Sequence, residues 1–144
     1  MKSNAQLKGS AVRLQKRNLS ESTLEKYKIY RDGNVLRFHY FSNEGVLLGA
    51  KIKTKDKNFS FEGNNDGSFF GQNLFPSSGK RVVITEGELD AASCYEAMPG
   101  WPMVSLPSGA AAARKAIQRN LQWLQGYEEI VLFFDNDEAG RKAT

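Results

Sequence analysis

The chain has 144 residues, with 20 Lys and Arg against 16 Asp and Glu, a formal charge of +4. A single cysteine (Cys94) excludes an intramolecular disulfide framework and a multi-cysteine zinc ribbon, and a single histidine (His39) excludes a His-rich metal site. No apolar run approaches the roughly 18 residues of a membrane span, and MKSNAQLKGS lacks the apolar stretch of a secretory signal, so a soluble, cytoplasmic protein with no membrane partner is expected.

The charge is unevenly spread. Residues 1–82 carry 15 Lys/Arg against 7 Asp/Glu, whereas residues 83–144 carry 5 against 9. Basic surface attracts phosphate, and clustered carboxylates hold divalent metal, so two tasks are expected of the two halves. Residues 1–18 read as a polar, basic tail or linker. A short helix is expected over Ser20–Tyr27, with Ser22 and Glu25 at capping-box spacing. Asp32-Gly33 signals a turn, and Val35–Phe41 alternates as a strand. Val46–Lys53 reads as its partner and Asn58–Phe61 as a third, short strand, giving a small antiparallel sheet. GNNDGS (63–68) is a loop, Phe69–Phe75 an apolar connection and Pro76–Lys80 a linker.

The rhythm then changes. Val82–Thr85 reads as a buried strand, Glu88–Met98 as a helix stopped by Pro99-Gly100, and Met103–Leu106 as a second strand. Ser108-Gly109 precedes a helix to about Leu124, with Ile117, Leu121 and Leu124 on one face. Gly126 ends it, Ile130–Phe134 is a third apolar strand, and Glu138–Thr144 begins a further helix. Apolar strands alternating with helices predict a parallel sheet covered by helices, with every strand's C-terminal end on one edge. Ligands bind at that edge in open α/β sheets.

Three acids fall there. Glu86 follows the first parallel strand, and Asp135 and Asp137 follow the third. Carboxylates so close repel, and oxygen-only ligands favour Mg2+ or Mn2+ over zinc. Such a site suits phosphoryl chemistry. Solvated acids at helix N-termini are the bland alternative, acceptable for one acid and less so for three at matching strand ends. In the basic half, Lys51, Lys53, Lys55 and Lys57 alternate, so one strand face could carry all four; a solvated edge strand with gatekeeper lysines is the alternative. Gly79-Lys80 is not a P-loop, because Leu74 stands where the first Gly belongs and Arg81 where Ser/Thr belongs. Cys94 and His39 read as packing residues, and Trp101 and Trp123 as core or subdomain contacts.

An apolar strand ending in Glu86-Gly87-Glu88-Leu89-Asp90, followed later by one ending in Asp135-Asn136-Asp137, resembles a Toprim domain. KDKNF (55–59), VVITEGELD (82–90), VSLPSGAAAARK (104–115) and FDNDEAGRKA (134–143) are similar to the primase half of the T-odd phage primase–helicases, a Twinkle-like family, as is RNLSESTLEKY (17–27). The resemblance implies an α+β basic N-terminal subdomain (19–80) followed by an α/β Toprim subdomain (81–144), a Rossmann-like parallel sheet flanked by helices. It implies synthesis of short RNA primers from ribonucleoside triphosphates on a single-stranded DNA template. Glu86, Asp135 and Asp137 match the family's catalytic, metal-binding acids, for Mg2+ or Mn2+. Lys51 and Lys57 match its nucleotide-contacting lysines; Lys53, Lys55 and Arg141 are weaker candidates, Glu88 could assist a second metal, and Asp90 is expected to order the turn after Glu86. The family's zinc ribbon is missing, so no zinc is expected in this chain and that module and a replicative helicase are expected as fused or associated partners. A Toprim sheet usually continues past the Asp-x-Asp helix to another acid, so a C-terminally truncated Toprim domain is expected. A Toprim nuclease and a non-catalytic DNA-binding or docking module remain as alternatives.

Overall fold

The structure, a computed structural model, describes residues 6–56 and 58–134. It divides into two compact units, Met1–Asp66 and Gly67–Thr144.

In the first unit, helix α1 (Glu21–Tyr27) leads into four strands: β1 (Ile29–Asp32), β2 (Val35–Phe41), β3 (Leu47–Lys53) and β4 (Phe59–Gly63). They pair antiparallel in the order β1-β2-β3-β4. Strand β1 was not expected from the sequence, because four residues pressed between a helix and a turn leave no room for a visible alternation. The helix cap also differs from expectation. Ser20, not Ser22, is the N-cap and accepts the Thr23 N–H, while Glu25 accepts from Lys28 Nζ at 3.1 Å and from the Tyr30 hydroxyl instead of reaching back to the cap. Residues 8–14, expected within a tail, are attached to the sheet. Ser10 exchanges two backbone hydrogen bonds with Arg31, at 3.1 and 2.8 Å, and the Lys8 N–H reaches His39 Nε2 at 3.3 Å.

Polar groups inside this unit are paired. His39, 2% exposed, uses Nδ1 toward the Lys28 carbonyl at 2.8 Å, so the tautomer with Nε2 as acceptor satisfies both ring nitrogens. Arg37 donates to Asp32 at 2.8 Å and to Glu62 at 2.9 Å. That hydrogen bond holds the Glu62 carboxyl below its ordinary range.

The second unit contains β5 (Gly79–Thr85), α2 (Glu88–Ala97), β6 (Met103–Ser105), α3 (Ala113–Arg119), α4 (Leu121–Leu124) and β7 (Tyr127–Phe133). The sheet is parallel, in the order β6-β5-β7. Its core is apolar: Phe69, Val82, Ile84, Val104, Leu106, Trp123, Leu124 and Tyr127 form one buried cluster. Phe69 sits in this cluster and Phe70 exchanges two backbone bonds with Ser105, so residues 67–80 pack with the second unit, N-terminal to the expected boundary at residue 81. Gly126 is required for the turn into β7, since a Cβ there would lie 1.7 Å from the Ser77 carbonyl oxygen.

The expected helix over 109–124 is broken. Residues Ala110–Ala112 form a 3-10 turn, and Asn120 separates α3 from α4. The Asn120 amide donates to the Ala116 carbonyl at 2.8 Å and the Gly67 carbonyl at 2.9 Å. This side-chain competition with the helix ladder rotates the last turn. Trp123 and Leu124 are buried as a result, and Leu121 is exposed. Strand β7 departs from the expected buried strand too: it pairs only with β5 among the described residues and leaves Ile130 and Phe133 exposed. The helix expected from Glu138 lies outside the described residues. No helix among the described residues is long and apolar enough to cross a membrane.

Candidate functional site: an acidic sheet edge and a basic, aromatic sheet face

Strands β5 and β7 run parallel, with Thr85 opposite Phe133. Glu86 therefore leaves the sheet at the level of Phe134, one residue before Asp135. The register thus pairs the end of β5, which Glu86 follows, with the end of β7, about fifty residues further along the chain.

The turn carrying Glu86 is held from below. Thr85 is fully buried, and its hydroxyl lies 2.9 Å from the Gly87 carbonyl and 3.3 Å from that of Val104. Gly87 begins α2, accepting the Ala91 N–H at 3.2 Å. A Cβ on Gly87 would lie 3.2 Å from Asp90 Oδ2, so the Asp90 carboxylate rests against the turn. Glu86 is half-buried, and Glu88, in the first turn of α2, is buried. Acids there are favoured by the helix dipole. Asp135, Asp137 and Arg141 lie outside the described residues, and among the described residues no group of three potential ligands forms. The donors that the sequence assigns to this edge are carboxylate oxygens only, which fits Mg2+ or Mn2+.

The basic residues belong to the first unit. Lys51 and Lys53 share one face of β3, opposite Phe61 and Phe59 of β4. The four-lysine strand face is not formed. β3 ends at Lys53, because Thr54 and Asn58 close the hairpin: the Thr54 N–H donates to the Asn58 carbonyl at 3.0 Å, and the Asn58 N–H to Thr54 Oγ1 at 3.3 Å. Lys55 is exposed in that turn, and Lys57 lies outside the described residues. Lys51 Nζ sits 5.7 Å from the Phe59 ring centroid and 5.9 Å from that of Tyr40, a cation–π geometry. The two phenylalanines were not singled out from the sequence, although their spacing in Phe59-Ser60-Phe61 places both on one strand face.

The remaining candidates are structural. Gly79 and Lys80 lie within β5, which excludes a phosphate-binding loop there. Burial pushes the Cys94 thiol up, away from the reactive range. Trp123 is core, and Trp101 lies against Arg81, whose guanidinium is 4.9 Å from the ring centroid.

A parallel sheet whose central strand ends in an acid–glycine turn, beside a strand that runs into Asp-x-Asp, defines a Toprim-like domain, and the Toprim-like family matches residues 83–144. The DNA helicase/primase of enterobacteria phage T3 is 41% identical over 106 residues, covering 72% of this chain and 19% of that protein. The crystal structure of the primase fragment of the bacteriophage T7 primase–helicase superposes with a TM-score of 0.82 at 35% identity, covering 98% of this chain and 59% of that one. A chain in the structure of the T7 lagging-strand DNA polymerase interacting with primase domains of two gp4 subunits, bound to an RNA/DNA hybrid and dTTP, matches with a TM-score of 0.81 at 35% identity, covering 98% and 72%. The chain belongs to the Toprim primase family of the T-odd phage primase–helicases. It spans about a fifth of the length of the curated T3 relative.

Proposed function

We propose that this chain is the catalytic part of a DNA primase, joining ribonucleotides into short RNA primers on single-stranded DNA during replication. The observation that supports this is the parallel pairing of β5 with β7, Thr85 opposite Phe133, so that Glu86 and, in the sequence, Asp135-x-Asp137 each follow a paired strand end. Glu86, Asp135 and Asp137 would hold Mg2+ or Mn2+. When bound, the ion supplies the positive charge that acidifies the attacking 3′-hydroxyl and offsets charge on the departing pyrophosphate. Asp90 keeps the Glu86 turn in place, and Glu88 supports a second ion. Lys51 and Lys57 neutralise the incoming triphosphate, with Lys53, Lys55 and Arg141 as weaker contacts. The basic N-terminal half guides the template. The relatives' descriptions as helicase/primase and primase–helicase support a fused or associated replicative helicase as partner. A separate zinc-ribbon module would read the start site, and the work would be done in the cytoplasm of a bacterial host.

The test supplies ribonucleoside triphosphates, Mg2+ or Mn2+ and an oligonucleotide template, and resolves the products on a gel. Oligoribonucleotides are expected. Asp135→Ala and Glu86→Gln should reduce them by about a hundredfold or more while template binding persists. Undiminished synthesis by Asp135→Ala overturns the reading, and cutting of a labelled DNA strand without nucleotides replaces it with a nuclease.

A further inference from the structure

Strand β4 is an edge strand exposed along its whole length, and it carries two large aromatic residues on one face. Phe59 is 58% exposed and Phe61 37%. Placing a phenylalanine ring in water forgoes the burial that makes the residue useful in a core, so two on one exposed strand ask for an occupant. Their surroundings indicate its chemistry. Phe61 is held edge-on by Tyr40, with centroids 5.6 Å apart, which fixes its ring plane. Lys51 and Lys53 stand directly opposite on β3, and Lys55 lies at the hairpin tip beside one opposing charge, Asp56. The acid of β4, Glu62, points to the other face and is engaged by Arg37. The exposed face thus combines π surfaces with positive charge.

We propose that Phe59 and Phe61 form a base-stacking platform for single-stranded nucleic acid, with Lys53 and Lys55, the weaker triphosphate candidates, alongside for its phosphates and Lys51 left to the triphosphate. Residues two apart on a strand are separated by about 7 Å, room for two successive bases splayed along an extended strand. A free nucleotide has one base and would leave one ring uncovered, so the spacing favours a strand. This inference rests on the primase reading for its biological setting and assigns the platform to the template-holding half of that reaction.

Anisotropy of two labelled strands of equal length and charge tests it, one bearing thymines and one abasic. The full chain should bind the thymine strand about tenfold tighter than the abasic one. Phe59→Leu should reduce that preference, and Phe59→Leu with Phe61→Leu should remove it, leaving abasic-strand affinity unchanged; Phe59→Tyr should retain it. Leucine keeps the apolar bulk, and equal abasic binding shows that the variants are folded. Lys53→Ala should weaken both strands alike and lower the salt slope by about one. A preference that survives the double leucine variant overturns the proposal. So does a platform that proves to hold a mononucleotide, seen as lost affinity of Phe59→Leu for a ribonucleoside triphosphate with strand binding unaltered. Primer synthesis measured in parallel separates the two readings. Intact synthesis with an aromatic-independent base preference removes only the platform; absent wild-type synthesis with an aromatic-dependent preference removes only the enzymatic reading.

Discussion

The four-stranded sheet over residues 29–63 and the three-stranded sheet over residues 79–133 bury different kinds of group. The first takes in an arginine and a histidine, and each finds partners on neighbouring segments: Arg37 with Asp32 and Glu62, His39 with Lys28 and Lys8. The second buries Val82, Ile84, Val104 and Leu106, with Thr85 and Ser105 bonded to backbone carbonyls, and leaves its carboxylates outside that core, Glu86 past the end of β5 and Glu128 and Glu129 on the exposed part of β7. Antiparallel strands can face water on one side, so polar side chains enter the sheet and must be paired individually. Where parallel strands are covered by helices, polar chemistry is left to their ends, and here also to the exposed residues of β7. The difference explains why the acidic edge can be located from sequence by strand ends, whereas the basic face depends on register and hairpin geometry.

The largest expected effect bears on where one unit stops and the other starts. Phe69→Ala removes a ring that is 2% exposed and packed in the second unit's cluster, with Trp123 at 6.3 Å between centroids. A loss of about 3–5 kcal/mol is expected. Hydrogen exchange should show it in β5 and β6, with β2 and β3 protected as before. Equal deprotection of both sheets would erase the boundary at Asp66.

A smaller effect separates the units by pH. Burial, the leading cause, holds His39 below its ordinary 6.5, against the bond to the Lys28 carbonyl, and the Arg37 and Lys28 charges lower it further. A proton on Nε2 would also face the Lys8 N–H, donor to donor. The unfolded chain binds the proton more readily, so the neutral ring's stabilisation is complete above pH 6.5 and is lost as pH falls below it toward the folded value. The first unit's urea midpoint should therefore drop between about pH 7.5 and 5.5. His39→Phe should flatten that drop and cost about 1–2 kcal/mol at the higher pH, through the unpaired Lys8 N–H and the loss of one of the two bonds to the Lys28 carbonyl, which keeps the backbone N–H of residue 39. An unchanged slope in the variant would assign the drop to other groups.

The smallest effect decides which serine starts α1. Ser20→Ala should cost about 1 kcal/mol, and Ser22→Ala less than about 0.5, read from the same urea curves. The reverse order would restore the cap expected from the sequence.

That cap shows what the sequence could and could not disclose. Ser-x-x-Glu occurs at residues 22–25, but Glu25 is drawn away by Lys28, three residues on, and by Tyr30 in β1. The parallel strands were legible because continuous apolar runs bounded by turns have few alternatives. Glu86 at a strand end followed from the same runs. The break at Asn120 was hidden, since its second acceptor, Gly67, comes from far along the chain. The exposed aromatic pair was visible as Phe59-Ser60-Phe61, but its exposure depends on β4 being the last strand of its sheet.

The order β6-β5-β7 has a consequence in time. The strand carrying Glu86 is flanked on one side by β6, soon after it in the chain, and on the other by β7, whose residues pair with it across nearly the whole unit. Loop closure makes that distant pairing the slower one to form. On a ribosome, β5, α2 and β6 emerge and can associate while β7 is still unmade. Glu86 is therefore placed early and β7 arrives later, so the nascent domain passes through a stage in which one side of the strand carrying Glu86 is paired and the other is still open.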